Sequence, residues 1–214
     1  MKDIKTYSVE EAIRKLKTSA KENFDATVEL HINLDLNMEK SDQAVRFSTT
    51  LPHGTGKTKK VAVLASTKIP NADLQLTEED LDKIEKGKIR PKIDFDVFVA
   101  ETKFMPKIAK VAKILGPAGV MPNPKTGTVS DDVQKAVEQI KKGKVEVKTE
   151  KSFPAIHTIV GKVSFDEKML LENLKEIINT LKQNKPPKSV PEWIKSMYLS
   201  STMGPSVKID TSGL

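Results

Sequence analysis

The chain has 214 residues, 37% of them hydrophobic and 30% charged, enough for one large domain or two small ones with a buried core. No apolar run approaches the ~20 residues a membrane-spanning helix needs, and the absence of cysteine excludes disulfides and thiolate metal sites. A net charge of +7 favours a polyanionic partner. Most of that charge is central: residues 55–145 hold 18 Lys+Arg against 12 Asp+Glu, residues 1–54 hold 8 against 9, and residues 146–214 hold 10 against 8.

Met1 to Lys5 contain no apolar h-region and show no export signal. Ser8-Val9-Glu10-Glu11 is a capping box, and Val9, Ala12, Ile13 and Leu16 then recur at helical spacing, predicting a helix to about Lys21. From Thr27 the period becomes two. Val28, Leu30, Ile32 and Leu34 face one way and Thr27, Glu29, His31 and Asn33 the other, as in a half-buried strand. Ser41 to Leu51 reads as a further strand closed by Pro52-His53-Gly54.

Lys60 to Ser66 is an almost continuous apolar run, the signature of a strand covered on both faces. A helix from Thr77 to Ile84 stops at Gly87, and Ile93 to Ala100 reads as a second buried strand. Met105 to Leu115 reads as one helix, followed by a loop with three glycines and three prolines, Gly116 to Thr128. That loop suits either a rigid connector or a phosphate-contacting tip. Ser130 caps a predicted helix carrying Val133, Ala136, Val137 and Ile140, which stops at Gly143. Lys144 to Thr149 and Ile156 to Ser164 read as strands, Asp166 opens the longest helix, and Ile194 to Thr202 is the last strand.

This order predicts an α/β protein of two domains. Residues 1–54 and 146–214 form a discontinuous α+β domain, an antiparallel sheet with two helices; residues 55–145 form an inserted Rossmann-like three-layer α/β/α domain. Gly54, Gly56 and Gly143 mark a two-stranded hinge at the crossings.

Enzymatic chemistry finds little support. His53-Gly54-Thr55-Gly56-Lys57-Thr58 resembles a phosphate loop, but Leu51 occupies the place of the first glycine and a strand follows where a helix terminus is needed. A nucleotide-dependent enzyme using this loop is the weaker alternative. His31, His53 and His157 lie on separate elements without metal-ligand spacing. No catalytic residue, cofactor or metal is predicted. Ser200-Ser201-Thr202-Met203-Gly204-Pro205-Ser206 is hydroxyl-rich and bent; it suits either a strand ending in a turn or a surface that approaches a sugar-phosphate backbone closely.

Several blocks then occur in one order: Phe24-Asp25-x-Thr27-Val28-Glu29, Ser41-Asp42-Gln43-x-Val45-Arg46, Leu51-Pro52-His53-Gly54-x-Gly56-Lys57, Leu115-Gly116-Pro117-x-Gly119-x-Met121-Pro122-Asn123-Pro124-Lys125, Ala155-Ile156-His157, Val160-Gly161-Lys162 and Thr202-Met203-Gly204-Pro205-Ser206. Together they resemble the L-one family of ribosomal proteins, of bacterial type, over nearly the whole chain from Ser8.

The resemblance implies a non-enzymatic constituent of the large subunit that binds the stalk segment of large-subunit rRNA, chiefly through the first domain. It also implies help in releasing exit-site tRNA, repression of its own mRNA, and a monomer in the cytoplasm when outside the ribosome. A free translational repressor that never enters ribosomes is the alternative among binding proteins. By resemblance the RNA-contacting patch comprises Phe24, Thr27, Glu29, Lys162, Ser201, Thr202, Met203 and Gly204. Ser201 and Thr202 are expected to hydrogen-bond RNA, Gly204 to permit close approach, Phe24 and Met203 either to give apolar contact or to pack in the core, Glu29 either to orient a neighbour or to accept from a 2′-hydroxyl, and Lys162 to meet phosphate. Three departures stand out: the first helix cap comes early, at Ser8; Asn23 stands where lysine is common; and Ser200-Ser201-Thr202 replaces a threonine run.

Overall fold

The computed structural model describes residues 5–37, 43–150, 153–187 and 189–211, with the backbone alone of Lys125. In chain order the elements are β1 (Thr6–Tyr7), α1 (Val9–Ser19), β2 (Thr27–Leu34), β3 (Arg46–Thr50), β4 (Val61–Leu64), β5 (Leu74–Leu76), α2 (Glu78–Glu85), β6 (Val97–Ala100), α3 (Met105–Ile108), α4 (Ala112–Leu115), α5 (Val133–Lys141), β7 (Lys144–Lys148), β8 (Ala155–Lys162), α6 (Glu167–Gln183), β9 (Ile194–Ser201) and β10 (Val207–Ile209). They form a mixed α/β structure with several sheets. The chain divides into two compact units, Met1–Gly56 with Gly143–Leu214, and Lys57–Lys142.

In the first unit a five-stranded sheet runs β1-β10-β9-β2-β8. It is antiparallel except where β1 pairs parallel with β10. Alternation along β2 buries Val28, Leu30, Ile32 and Leu34 in one core with Leu199 and Met197 of β9. Ala12, Ile13 and Leu16 of α1 and Leu170, Leu174 and Ile177 of α6 complete that core, so both helices cover one sheet face. The expected capping box is present: Glu11 N–H donates to Ser8 Oγ and Ser8 N–H to the Glu11 carboxylate, each at 3.3 Å. β3 and β7 pair as a separate two-stranded ladder rather than joining the main sheet, and their Phe47, Val145 and Val147 reach the same core. Of the strand expected over Ser41 to Leu51, β3 forms its later part; Ser41 and Asp42 lie outside the described residues.

In the second unit β5-β4-β6 form a parallel sheet whose central strand is buried at every position. Ala62, Leu64, Phe98 and Ala100 pack on one side with residues of α2, α3 and α4, and Val61, Val63 and Val99 on the other with α5. Three sequence expectations need correction here. Ile93 is 65% exposed and its neighbours form turns, so β6 starts only at Val97. Met105 to Leu115 is two single α-helical turns separated by a 3-10 turn, Ala109–Val111. Helix α5 is capped by Asp132, whose carboxylate accepts from Lys135 N–H at 3.2 Å, while Ser130 Oγ accepts from Asp132 N–H at 3.1 Å.

Candidate nucleic-acid interface

The end of β9 is fastened to the start of β2. Thr202 N–H donates to the Thr27 carbonyl at 3.1 Å, Thr27 N–H donates to Thr202 Oγ1 at 3.0 Å, and Thr202 Oγ1 donates to the same carbonyl at 3.3 Å. The Thr202 hydroxyl therefore has one lone pair left for an outside donor. A tight turn follows, closed by Gly204 N–H on the Ser201 carbonyl at 3.1 Å. Ser201 lies beneath the surface, 3% exposed, its hydroxyl donating to Glu22 Oε1 at 2.9 Å. A Cβ on Gly204 would collide with Ser201 Oγ and come within 3.3 Å of Glu22 Oε1, so a larger residue in this turn would displace the Ser201–Glu22 pair.

Met203 at the tip is 77% exposed, and Phe24, just ahead of β2, is 56% exposed. Both apolar side chains thus stand in solvent beside a lattice of hydroxyls, which is the reverse of core packing. Lys162 of β8 lies opposite Thr27 in the sheet register. Its ammonium donates to Thr27 Oγ1 at 3.0 Å and to the Asp25 carbonyl at 3.1 Å, leaving one N–H to point elsewhere. Glu29 sits further along β2, opposite Ser200 of β9, with its carboxylate 3.8 Å from His31 Nε2. The predicted residues therefore gather on the start of β2, the end of β8 and the turn after β9, with Ser201 as internal support.

Two supporting residues escape sequence reasoning. Glu22 holds Ser201, and its second carboxylate oxygen is buried without a protein partner. Asp25 accepts from Ser164 N–H at 3.0 Å and Ser164 Oγ at 2.9 Å, tying the approach to β2 to the turn after β8. Glu22 carries no local signal, and Asp25 stands in the Phe24 to Glu29 block with no role assigned to it; each acts through a partner far away in the chain.

The predicted hinge glycines are tightly packed. Gly54 and Gly56 have φ of +65° and +73°, and Gly143 has φ of +103°. A Cβ on Gly143 would run into Gly54 Cα, and one on Gly56 would meet Lys162 Cγ at 2.6 Å. Asn173, fully buried on α6, accepts from His53 N–H at 3.1 Å and donates to the Gly54 carbonyl at 3.0 Å. The element after this glycine segment is strand β4, so no helix terminus is there to hold a phosphate. His53 Nε2 is instead 2.6 Å from the Glu172 carboxylate.

His31 and His157 lie on separate strands, as expected, but those strands pair. They are direct partners across β2 and β8, with Nδ1 atoms 2.7 Å apart. Burial and the neighbouring His157 hold the His31 pKa below its ordinary value. Among the described residues no group of three or more side chains is placed to hold a metal ion, and no helix is long and apolar enough to cross a membrane.

The fold is mixed α/β, and its hydroxyl-rich turn at Thr202 carries the exposed apolar side chain of Met203. The chain matches the model of the Ribosomal protein L1p/L10e family over residues 16–205. It is 48% identical to large ribosomal subunit protein uL1 of Aster yellows witches'-broom phytoplasma, over 96% of this chain and 90% of that protein. It is 44% identical to the proteins of that name from Mesoplasma florum, over 96% of this chain and 91% of the relative, and Macrococcus caseolyticus, over 97% and 90%. The chain is a member of the Ribosomal protein L1p/L10e family.

Proposed function

We propose that the chain is a structural, non-enzymatic constituent of the large ribosomal subunit that binds the stalk region of large-subunit rRNA through the surface around Phe24, Thr27, Lys162 and Thr202–Gly204. The observation that carries this reading is the exposed pair Phe24 and Met203, with Met203 in a turn where Gly204 lies directly against Ser201 and Glu22. Such a surface recognises folded RNA by shape, packing and 2′-hydroxyl or backbone contacts. Ser201 acts indirectly, through Glu22, and Glu29 flanks the patch.

In this reading the two compact units are two domains: the discontinuous one binds rRNA and the inserted one is a Rossmann-like α/β/α layer structure. Gly54, Gly56 and Gly143 allow the two crossings to pack closely at the boundary, where domain movement begins. Residues 57–142 hold 17 Lys+Arg against 12 Asp+Glu, a balance that supports attraction to exit-site tRNA. Repression of the protein's own mRNA would use the same patch on a mimic of the rRNA site. The protein then works in the cytoplasm, on the ribosome.

The test is binding of the full chain to a stalk-region rRNA fragment, with a scrambled RNA of equal length as control. Binding to the fragment alone, weakened about tenfold by Met203→Ala as for a central contact residue, is the expected result. Equal affinity for both RNAs overturns the proposal.

A further inference from the structure

Helices α1 and α6 cover one face of the five-stranded sheet; the opposite face carries no apolar cluster among the described residues. Strand register sets a row across it: Thr6, Lys208, Tyr198, His31 and His157, on β1, β10, β9, β2 and β8 in turn. All five side chains are half-buried or exposed. The two imidazoles lie with ring centroids 4.9 Å apart and planes tilted by 59°. His31 Nε2 is also 2.9 Å from Ser200 Oγ, which fixes the ring against the sheet.

Adjacent strands are about 4.8 Å apart, so Tyr198, His31 and His157 present three rings over roughly 10 Å. The neighbouring row holds Ser200, Glu29 and the 40%-exposed Ile159. It leads directly along β2 to Thr27 and the turn at Thr202.

We propose that this open sheet face is a stacking platform for unpaired RNA bases, with Tyr198, His31 and His157 as the stacking rings and Lys208 meeting phosphate. The inference rests on the RNA-binding reading above and extends that surface along β2. Aromatic and imidazole rings on an open, hydrogen-bonded sheet accept bases of any sequence. A protein partner suits these two rows poorly: Ile159 is the one exposed large aliphatic side chain in them, and a protein interface needs an apolar centre. The carboxylates of Glu29 and Glu150, 3.8 and 3.5 Å from the two imidazoles, limit the positive charge, so stacking and not charge is the main attraction.

The test uses the full chain and an unstructured octaribonucleotide of mixed sequence, followed through the His and Tyr ring resonances. Saturable shifts at His31, His157 and Tyr198 are expected. Tyr198→Ala and the surface change His157→Ala should each weaken octamer binding about tenfold, and Tyr198→Phe should retain it. No octamer binding, shifts only at other residues, or undiminished affinity in both alanine variants overturns the platform.

The stalk-region fragment, run in parallel, separates the two readings. If Met203→Ala leaves fragment binding intact while Tyr198→Ala weakens the octamer, the patch fails and the platform stands. The reverse pattern removes the platform alone.

Discussion

Thr202 uses its hydroxyl mainly inside the protein, as acceptor for Thr27 N–H and donor to the Thr27 carbonyl. Thr202→Val should therefore leave that N–H without its partner and lower stability by about 1–3 kcal/mol, the cost of an unsatisfied donor. Met203 differs: its exposed side chain can be cut to alanine with a stability change within about 0.5 kcal/mol. Chemical denaturation of both variants, followed by the single tryptophan Trp193 in the first unit's core, distinguishes a positioning residue from a contact residue. The imidazole pair supplies a pH test. A folded-state His31 pKa below the unfolded value means that the unfolded chain binds the proton more readily. Its contribution to stability is present above about pH 6.5 and is lost as pH falls through the lower folded value. His31→Gln should flatten this part of the stability profile between pH 7.5 and 5; an unchanged profile would show that the pair plays no part.

Elements with a strong local signal are legible in the chain. The Ser8 box, the alternation over Val28 to Leu34 and the apolar stripe of α6 each match what forms. Strands β1, β5 and β10 have two or three residues, too few to show a period, and exist only because long-range partners complete them. For the same reason the facing of His31 and His157 is hidden by their separation of 126 positions along the chain. Asn173 was equally illegible, a polar residue within an apolar stripe. It donates to the Val160 and Gly54 carbonyls at 2.8 and 3.0 Å and accepts from His53 N–H. Asn173→Ala leaves these buried and part-buried groups unpaired and should cost about 2–3 kcal/mol of unfolding free energy, read from chemical denaturation. On α2, Asp80 accepts from Lys83 and from Thr77 N–H and Oγ1, which hold its carboxyl down to about 2. That stabilisation is present above pH 3.8 and fades as pH falls toward 2. Asp80→Asn should shift helix stability by about 1 kcal/mol at neutral pH, read by amide exchange in residues 78–85.

Across the whole molecule, charge and the proposed recognition surface are separated. Residues 57–142 contain 17 Lys+Arg and 12 Asp+Glu, whereas the remaining residues contain 19 and 17. Beside the turn at Thr202, Lys162 has two of its three donors held by Thr27 and Asp25. Recognition by packing and hydroxyls releases few counterions, so affinity for the stalk-region fragment should fall only gently with salt. Two or three phosphate contacts give a log–log slope of about −2 to −3. If the lysines of the second unit carried the binding instead, six or more contacts would steepen the slope to about −5 or beyond. Replacing Lys110 and Lys113 together by Gln in the full chain tests the same point. Fragment affinity should stay within about twofold of the parent at physiological salt, with the slope unchanged. A slope reduced by about 2 in that variant would move the recognition of rRNA from the turn at Thr202 to the basic unit.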